Sequence, residues 1–210
     1  MTLAVLDGGT YYHAEAIHGP RLRDRFDRAV YVPELGLADI ADCAAVIVAD
    51  RIHPAVLRQK RPVLLQYLAA GGTLIVLGEN RAFEWAPGVA WRFRRTNFWW
   101  WLDKNADPGI RLAAPDHELF AHVRAADLVW HYHGLLTPPP GARSLVDVTP
   151  AGDPEGEGGS LLYDHPGVAD GRGRMIVSTL DPFYHHGSFF MPAASRFLEG
   201  LLGWTDATFR

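Results

Sequence analysis

The run Gly71-Gly72-Thr73-Leu74-Ile75-Val76-Leu77-Gly78-Glu79-Asn80 constrains the fold more than any other stretch of the chain. The paired glycines end a helix, because glycine takes the left-handed geometry common just after a helical C-terminus. Thr73 to Leu77 then reads as a strand buried on both faces, and Gly78 opens a tight turn that presents the Glu79 carboxylate. A strand without a polar face needs helices above and below it. The same grammar recurs upstream. Thr2–Leu6 leads into Asp7-Gly8-Gly9, Ala29–Val32 stops before Pro33, and Ala44–Ala49 ends at Asp50.

Between these runs, Pro54 starts a helical turn, and Pro62 restarts a helix through Val63, Leu64, Leu65 and Leu68. The alternation predicts an α/β protein: a flavodoxin-like, three-layer, open and mostly parallel sheet carrying an aromatic-rich insertion. Ligands of such sheets bind beyond the carboxyl ends of the strands. Asp7, Asp50 and Glu79 stand at three such ends, with His53 and Asn80 just beyond two of them. All five are candidate ligand contacts. The plainer role for Asp7 and Asp50 is to accept backbone hydrogen bonds in turns or at helix starts.

With 210 residues, 48% of them apolar and 21% charged, the chain is expected to form one domain over 1–210. A formal charge of -4 gives no general reason to expect nucleic acid. Arg92-Phe93-Arg94-Arg95 beside Trp99, Trp100 and Trp101 is the local exception, and it falls short of a binding track. The lone cysteine, Cys43, excludes an intrachain disulfide and fits a reducing compartment. No secretory signal and no membrane-spanning run stands out, so the expected location is cytoplasmic. The expected partner is a small molecule, with no membrane or nucleic acid; self-association stays open.

Phe83–Gly88 and Asn97–Asp103 are expected to make a lid or side insertion, with Trp91, Trp99, Trp100 and Trp101 forming an apolar wall or a small satellite core and the segment around Trp99 a candidate ligand contact. A helix is expected from Asp116 or His117, carrying Leu119, Phe120 and Val123. Leu128–His133 reads as a strand, whose alternation puts Val129, His131 and His133 on one face. Ser144–Val148 and Ser160–Tyr163 are expected to pair. Met175–Leu180 reads as another strand, and Pro192–Leu202 as the final helix.

His131 and His133 are the centre of the densest chemical signal. Their spacing lets two imidazoles point one way from a strand, which suits a metal, a phosphate or proton transfer. Asp181, His185 and His186 follow the late strand, whose exit lies on the Glu79 side of the sheet, and His186 is a further candidate ligand contact. Glu79 is the candidate general base or metal ligand. His131, His133 and His185 are candidates to polarise a bound group, and Asp181 to orient a histidine. No compact zinc signature is present, so the cofactor stays undefined, with a divalent metal as one alternative. Gly-x-Gly-x-x-Gly and P-loop patterns are absent, and Ser195 lacks a nucleophile elbow.

Val46-Ile47-Val48, Tyr67-Leu68, the Gly71–Glu79 unit and the Gly173–Trp204 ending together resemble the class I glutamine amidotransferase-like superfamily, in its branch related to ThuA trehalose-utilisation proteins. In catalytic amidotransferases the turn matched by Gly78-Glu79-Asn80 carries a cysteine, and the late strand leads into a histidine and a glutamate. Here Glu79 and Asp181-Pro182 stand nearest those positions. The resemblance therefore disfavours glutaminase chemistry and implies a carbohydrate-related ligand in a carboxylate/histidine cleft, bound with or without chemistry. The alternative is a non-enzymatic binding or protein-interaction module on the same fold.

Overall fold

The structure, a computed structural model, describes residues 2–95 and 105–209. Among these, ten strands join in one sheet. They begin with β1 (Thr2–Asp7), β2 (Arg28–Tyr31), β3 (Cys43–Val48), β4 (Thr73–Val76) and β5 (Ala90–Phe93). β6 (Ile110–Leu112), β7 (Gly134–Thr137), β8 (Arg143–Val148), β9 (Gly159–Gly167) and β10 (Gly173–Ser178) follow. The helices are α1 (Tyr11–His18), α2 (Pro54–Ala69), the single turn α3 (Val168–Gly171), α4 (Pro182–Gly187) and α5 (Pro192–Phe209).

The order β2-β1-β3-β4-β10 is parallel throughout. β1 feeds β2 on one side while β3 feeds β4 on the other, so right-handed crossovers put α1 and α2 on opposite faces. That is the flavodoxin-like arrangement, and its switch point lies between β1 and β3. Beyond β10 the sheet turns antiparallel through β9, β7 and β5, with β8 on β9 and β6 on β8. The mostly parallel sheet expected from the sequence is thus parallel in one half only. Short connections such as α3, between β9 and β10, can join only antiparallel neighbours.

Burial explains the parallel half. Every residue of β4 is buried, and so is all of β3 except Ala44. In α5, the buried residues Ala194, Phe197, Leu198, Leu201, Leu202 and Thr205 recur at three- and four-residue steps and cover β1 and β3. On α2, Tyr67 donates its hydroxyl to Cys43 O at 3.0 Å and accepts from Thr73 N at 3.3 Å, tying the helix to the starts of β3 and β4. No helix among the described residues is long and apolar enough to cross a membrane.

Three sequence expectations need correction. α2 runs unbroken through Pro62, which faces solvent, so the carbonyl its ring leaves unpaired can meet water. The helix expected near Asp116 is a single 3-10 turn, Glu118–Ala121, capped by His117. Leu128–His133 is not a strand. Trp130 donates its indole N–H to Asp127 O at 3.1 Å and packs edge-on to His185, which folds this segment inward before β7 begins at Gly134.

The antiparallel half has its own anchor. Arg94 is buried and clasps Asp153 through Nε and Nη2 at 2.7 and 3.0 Å. Asp153 also accepts the backbone N–H groups of Glu155, Glu157 and Gly158. These bonds hold the Asp153 carboxyl far below the usual carboxylate range, with the Arg94 guanidinium as the main cause. Trp99, its two tryptophan neighbours and the Asn97–Asp103 insertion lie outside the described residues.

Candidate functional site

The ends of β3, β4 and β10 converge at Gly78. Its φ of +61° is left-handed, and a Cβ there would lie 2.4 Å from Asp50 Cβ and 2.8 Å from Asp181 Cβ. Only glycine permits that approach. Gly78 N donates to Ser178 O at 3.0 Å, Asn80 Nδ2 to Leu77 O at 2.9 Å, and the Trp85 indole to Asn80 O at 3.1 Å. The turn so fixed leaves the Glu79 side chain 30% exposed at the carboxyl edge of the sheet.

Directly after β3, Asp50 is fully buried and accepts Phe183 N at 2.6 Å and Tyr184 N at 3.0 Å. It fastens the start of α4 to the end of β3. Arg51 follows at φ 57°, a strained backbone for a residue with a Cβ. Its Nε and Nη2 donate to Asp181 Oδ2 at 2.9 and 2.7 Å, and Nη2 lies 3.1 Å from Glu79 Oε2. The guanidinium stacks 3.9 Å from the Tyr184 ring centroid. Arg51 thereby joins the β3, β4 and β10 ends through one cation.

The histidines arrive from the inward-folded segment before β7 and from α4. His185 Nε2 lies 3.0 Å from His131 Nε2 and 3.3 Å from Asp181 Oδ1. His133 Nδ1 lies 3.6 Å from Glu79 Oε1, and the His131 and His133 ring centroids are 5.4 Å apart. His131, His185 and Asp181 are buried, whereas Glu79 and His133 are half-buried at the opening. The donor atoms of His131, Asp181 and His185 all lie within 4.8 Å of one another, as do those of Glu79, His133 and Asp181.

Electrostatics separates the carboxylates. Burial, reinforced by the Asp181 charge, pushes the Asp50 carboxyl well above its ordinary range. Burial alone would also raise Asp181, but the neighbouring His185 and Arg51 reverse this and hold it low. Burial, with His185 next, lowers His131 to about 4, which keeps it neutral at pH 7. Burial likewise lowers His133. The site therefore combines a buried Asp181 carboxylate held low, a His131 imidazole held neutral and the Arg51 guanidinium, with Glu79 as the group facing outward.

Of the residues singled out in the sequence, Glu79, His131, His133, Asp181 and His185 come together. Asp50 lies beside them, but its oxygens are spent on backbone groups. Asn80 is buried and secures the turn. Asp7 accepts from Gly9 N and lies 3.3 Å from His13, on the far side of Asp50. His53 is exposed and caps α2 through Ala55 N, outside the cluster. His186 turns the other way and meets Ser195 Oγ at 2.9 Å, beside a separate cavity of about 370 Å³. The direct ligand roles expected for Asp50 and Asn80 thus meet buried side chains engaged in holding the turns, and those for His53 and His186 meet side chains outside the cluster.

Sequence reasoning missed Arg51, Tyr184 and His13. His13 is fully buried: Gly8 N donates to its Nδ1 at 3.0 Å, and its Nε2 donates to Asp50 O at 2.8 Å. The usable signal was a basic residue directly after a strand-end aspartate. Beside Glu79 opens a cavity of about 270 Å³, lined by Glu79, Arg81, Phe83, Trp91 and Phe93.

No family model matches the sequence, and no curated protein aligns with it. Solved structures do match. A cytoplasmic protein from Salmonella typhimurium superposes with a TM-score of 0.57 at 10% identity, covering 97% of this chain and 98% of the other. The N-terminal domain of mmIFT52 gives 0.56 at 15%, covering 97% and 96%. A ThuA-like protein from Bacteroides uniformis gives 0.55 at 11%, covering 96% and 89%. At these identities the likeness concerns architecture, and in architecture the chain is similar to a ThuA-like protein.

Proposed function

We propose that the chain acts as one cytoplasmic domain that binds a carbohydrate-related small molecule at the Glu79 mouth and transforms it by proton transfer. One observation carries this reading: the half-exposed Glu79 carboxylate, held between Arg51 and His133, stands on the rim of a cavity walled by Phe83, Trp91 and Phe93. Sugars need both surfaces. Their hydroxyls seek a carboxylate and a guanidinium, and the C–H face of the ring seeks an aromatic side chain. Glu79 would accept a hydroxyl proton while His133 orients it, and the Arg51 cation would stabilise the negative charge that develops. The likeness to a ThuA-like protein is consistent with a ligand of this class.

A second reading, binding without chemistry, draws on the Arg51 contact. A carboxylate already held by a guanidinium is placed to accept a hydrogen bond from a sugar hydroxyl. Thermal shift across a panel of neutral monosaccharides, disaccharides and sugar acids tests binding, and NMR of the retained sugar tests turnover. The expected result is stabilisation by at least one sugar, weakened in Glu79→Gln and Trp91→Ala, with turnover lost in Glu79→Gln. Turnover that survives in Glu79→Gln assigns the chemistry elsewhere. Binding without turnover in the wild type leaves the second reading, and a panel with no binder overturns both.

A further inference from the structure

The buried end of the cluster is built differently from its open end. Arg51 donates from Nε and Nη2 to Asp181 Oδ2, which leaves Oδ1 directed at the histidines. Asp181 is wholly buried, and Oδ1 has no hydrogen-bond partner among the described residues. A charged carboxylate oxygen so buried keeps a desolvation penalty that a cation beside it would offset. His185 Nε2 lies 3.3 Å away without hydrogen-bond alignment, and His131 Nε2 lies 3.0 Å from His185 Nε2.

These separations match a coordination shell. Ligands held about 2.0–2.1 Å from a first-row ion stand roughly 2.9–3.4 Å apart. We propose that His131 Nε2, His185 Nε2 and Asp181 Oδ1 bind one divalent first-row transition-metal ion. Two imidazole nitrogens and one carboxylate oxygen select such ions over magnesium or calcium, which prefer all-oxygen shells. The Arg51 bonds to Asp181 Oδ2 then serve as outer support, fixing the orientation of the carboxylate. Glu79 and His133 share Asp181 as a neighbour and are half-buried, so they mark the side from which the ion enters and on which a remaining coordination position opens.

The site binds an ion whatever the cleft accepts, so its test uses metal alone. Protein stripped with chelator is titrated with Zn²⁺, Co²⁺ and Mg²⁺ by calorimetry, and the Co²⁺ complex is read by visible absorption. One Zn²⁺ or Co²⁺ per chain is expected, with cobalt bands of a nitrogen–oxygen shell and no Mg²⁺ binding. His131→Gln and Asp181→Asn each weaken binding by at least about 10- to 100-fold. His53→Ala, at an exposed histidine outside the cluster, leaves it unchanged. Circular dichroism checks that each variant folds; if the buried variants do not, the wild-type stoichiometry and cobalt spectrum decide. A folded wild type that takes up neither ion, or binding indifferent to both folded variants, overturns the proposal.

Discussion

Replacing Gly78 with alanine tests how the site is assembled. The new methyl would stand 2.4 Å from Asp50 Cβ and 2.8 Å from Asp181 Cβ, at a backbone φ of +61°. The left-handed backbone alone costs a residue with a Cβ about 1–2 kcal/mol. Forcing a methyl into filled space adds about 1–3 kcal/mol. The sum is roughly 2–5 kcal/mol, or roughly 4–20 °C in melting temperature for a chain of this size. Gly156 supplies the control: its φ is +73°, and nothing lies within 4 Å of the added Cβ. Gly156→Ala therefore carries only the backbone cost of about 1–2 kcal/mol. Urea unfolding followed by far-ultraviolet circular dichroism measures both. If Gly78→Ala costs no more than Gly156→Ala, the close convergence of the β3, β4 and β10 ends is refuted.

Asp153→Ala leaves Arg94 only its contacts with Glu155 and Glu157 and strands the N–H groups of Glu155, Glu157 and Gly158, for an expected loss of about 1–3 kcal/mol by urea unfolding; no measurable loss contradicts the buried pair. Tyr67→Phe strands Thr73 N and Cys43 O, for a loss of about 1–3 kcal/mol, and no change in unfolding midpoint would disprove that tie. Asp164 predicts a pH dependence. Burial raises its carboxyl, but His117 and Arg174 outweigh this and hold it low. With the folded value depressed, its stabilisation is fully present above the unfolded value of about 3.9 and is lost as pH falls through the lower folded value. Asp164→Asn should flatten that acid limb in melting curves between pH 2 and pH 6, about the range in which carboxylates titrate; an unchanged limb argues against it.

The parallel half was legible because its strands are apolar runs punctuated by Gly, Pro and Asp, and Glu79 was legible as the residue such a turn presents. The antiparallel half was harder. His131 and His133 do converge near Glu79, yet not through strand alternation. Trp130, with a strand-forming side chain, is drawn inward by its bond to Asp127 O and its contact with His185. Such tertiary pull overrides local propensity. Arg51 escaped notice because its role depends on a left-handed backbone that sequence does not display. His53 and His186 were grouped with the cluster by proximity in sequence. The helix-capping contact of His53 and the bond of His186 to Ser195 take them out of it.

The most direct measurement is saturation-transfer-difference NMR of the wild-type protein with individual sugars, repeated on Glu79→Gln. Strong transfer to the ring C–H protons of at least one sugar, from the Phe83, Trp91 and Phe93 wall, and its loss in the variant, is the predicted result. No transfer from any sugar, or identical transfer in the variant, contradicts a sugar-binding mouth at Glu79.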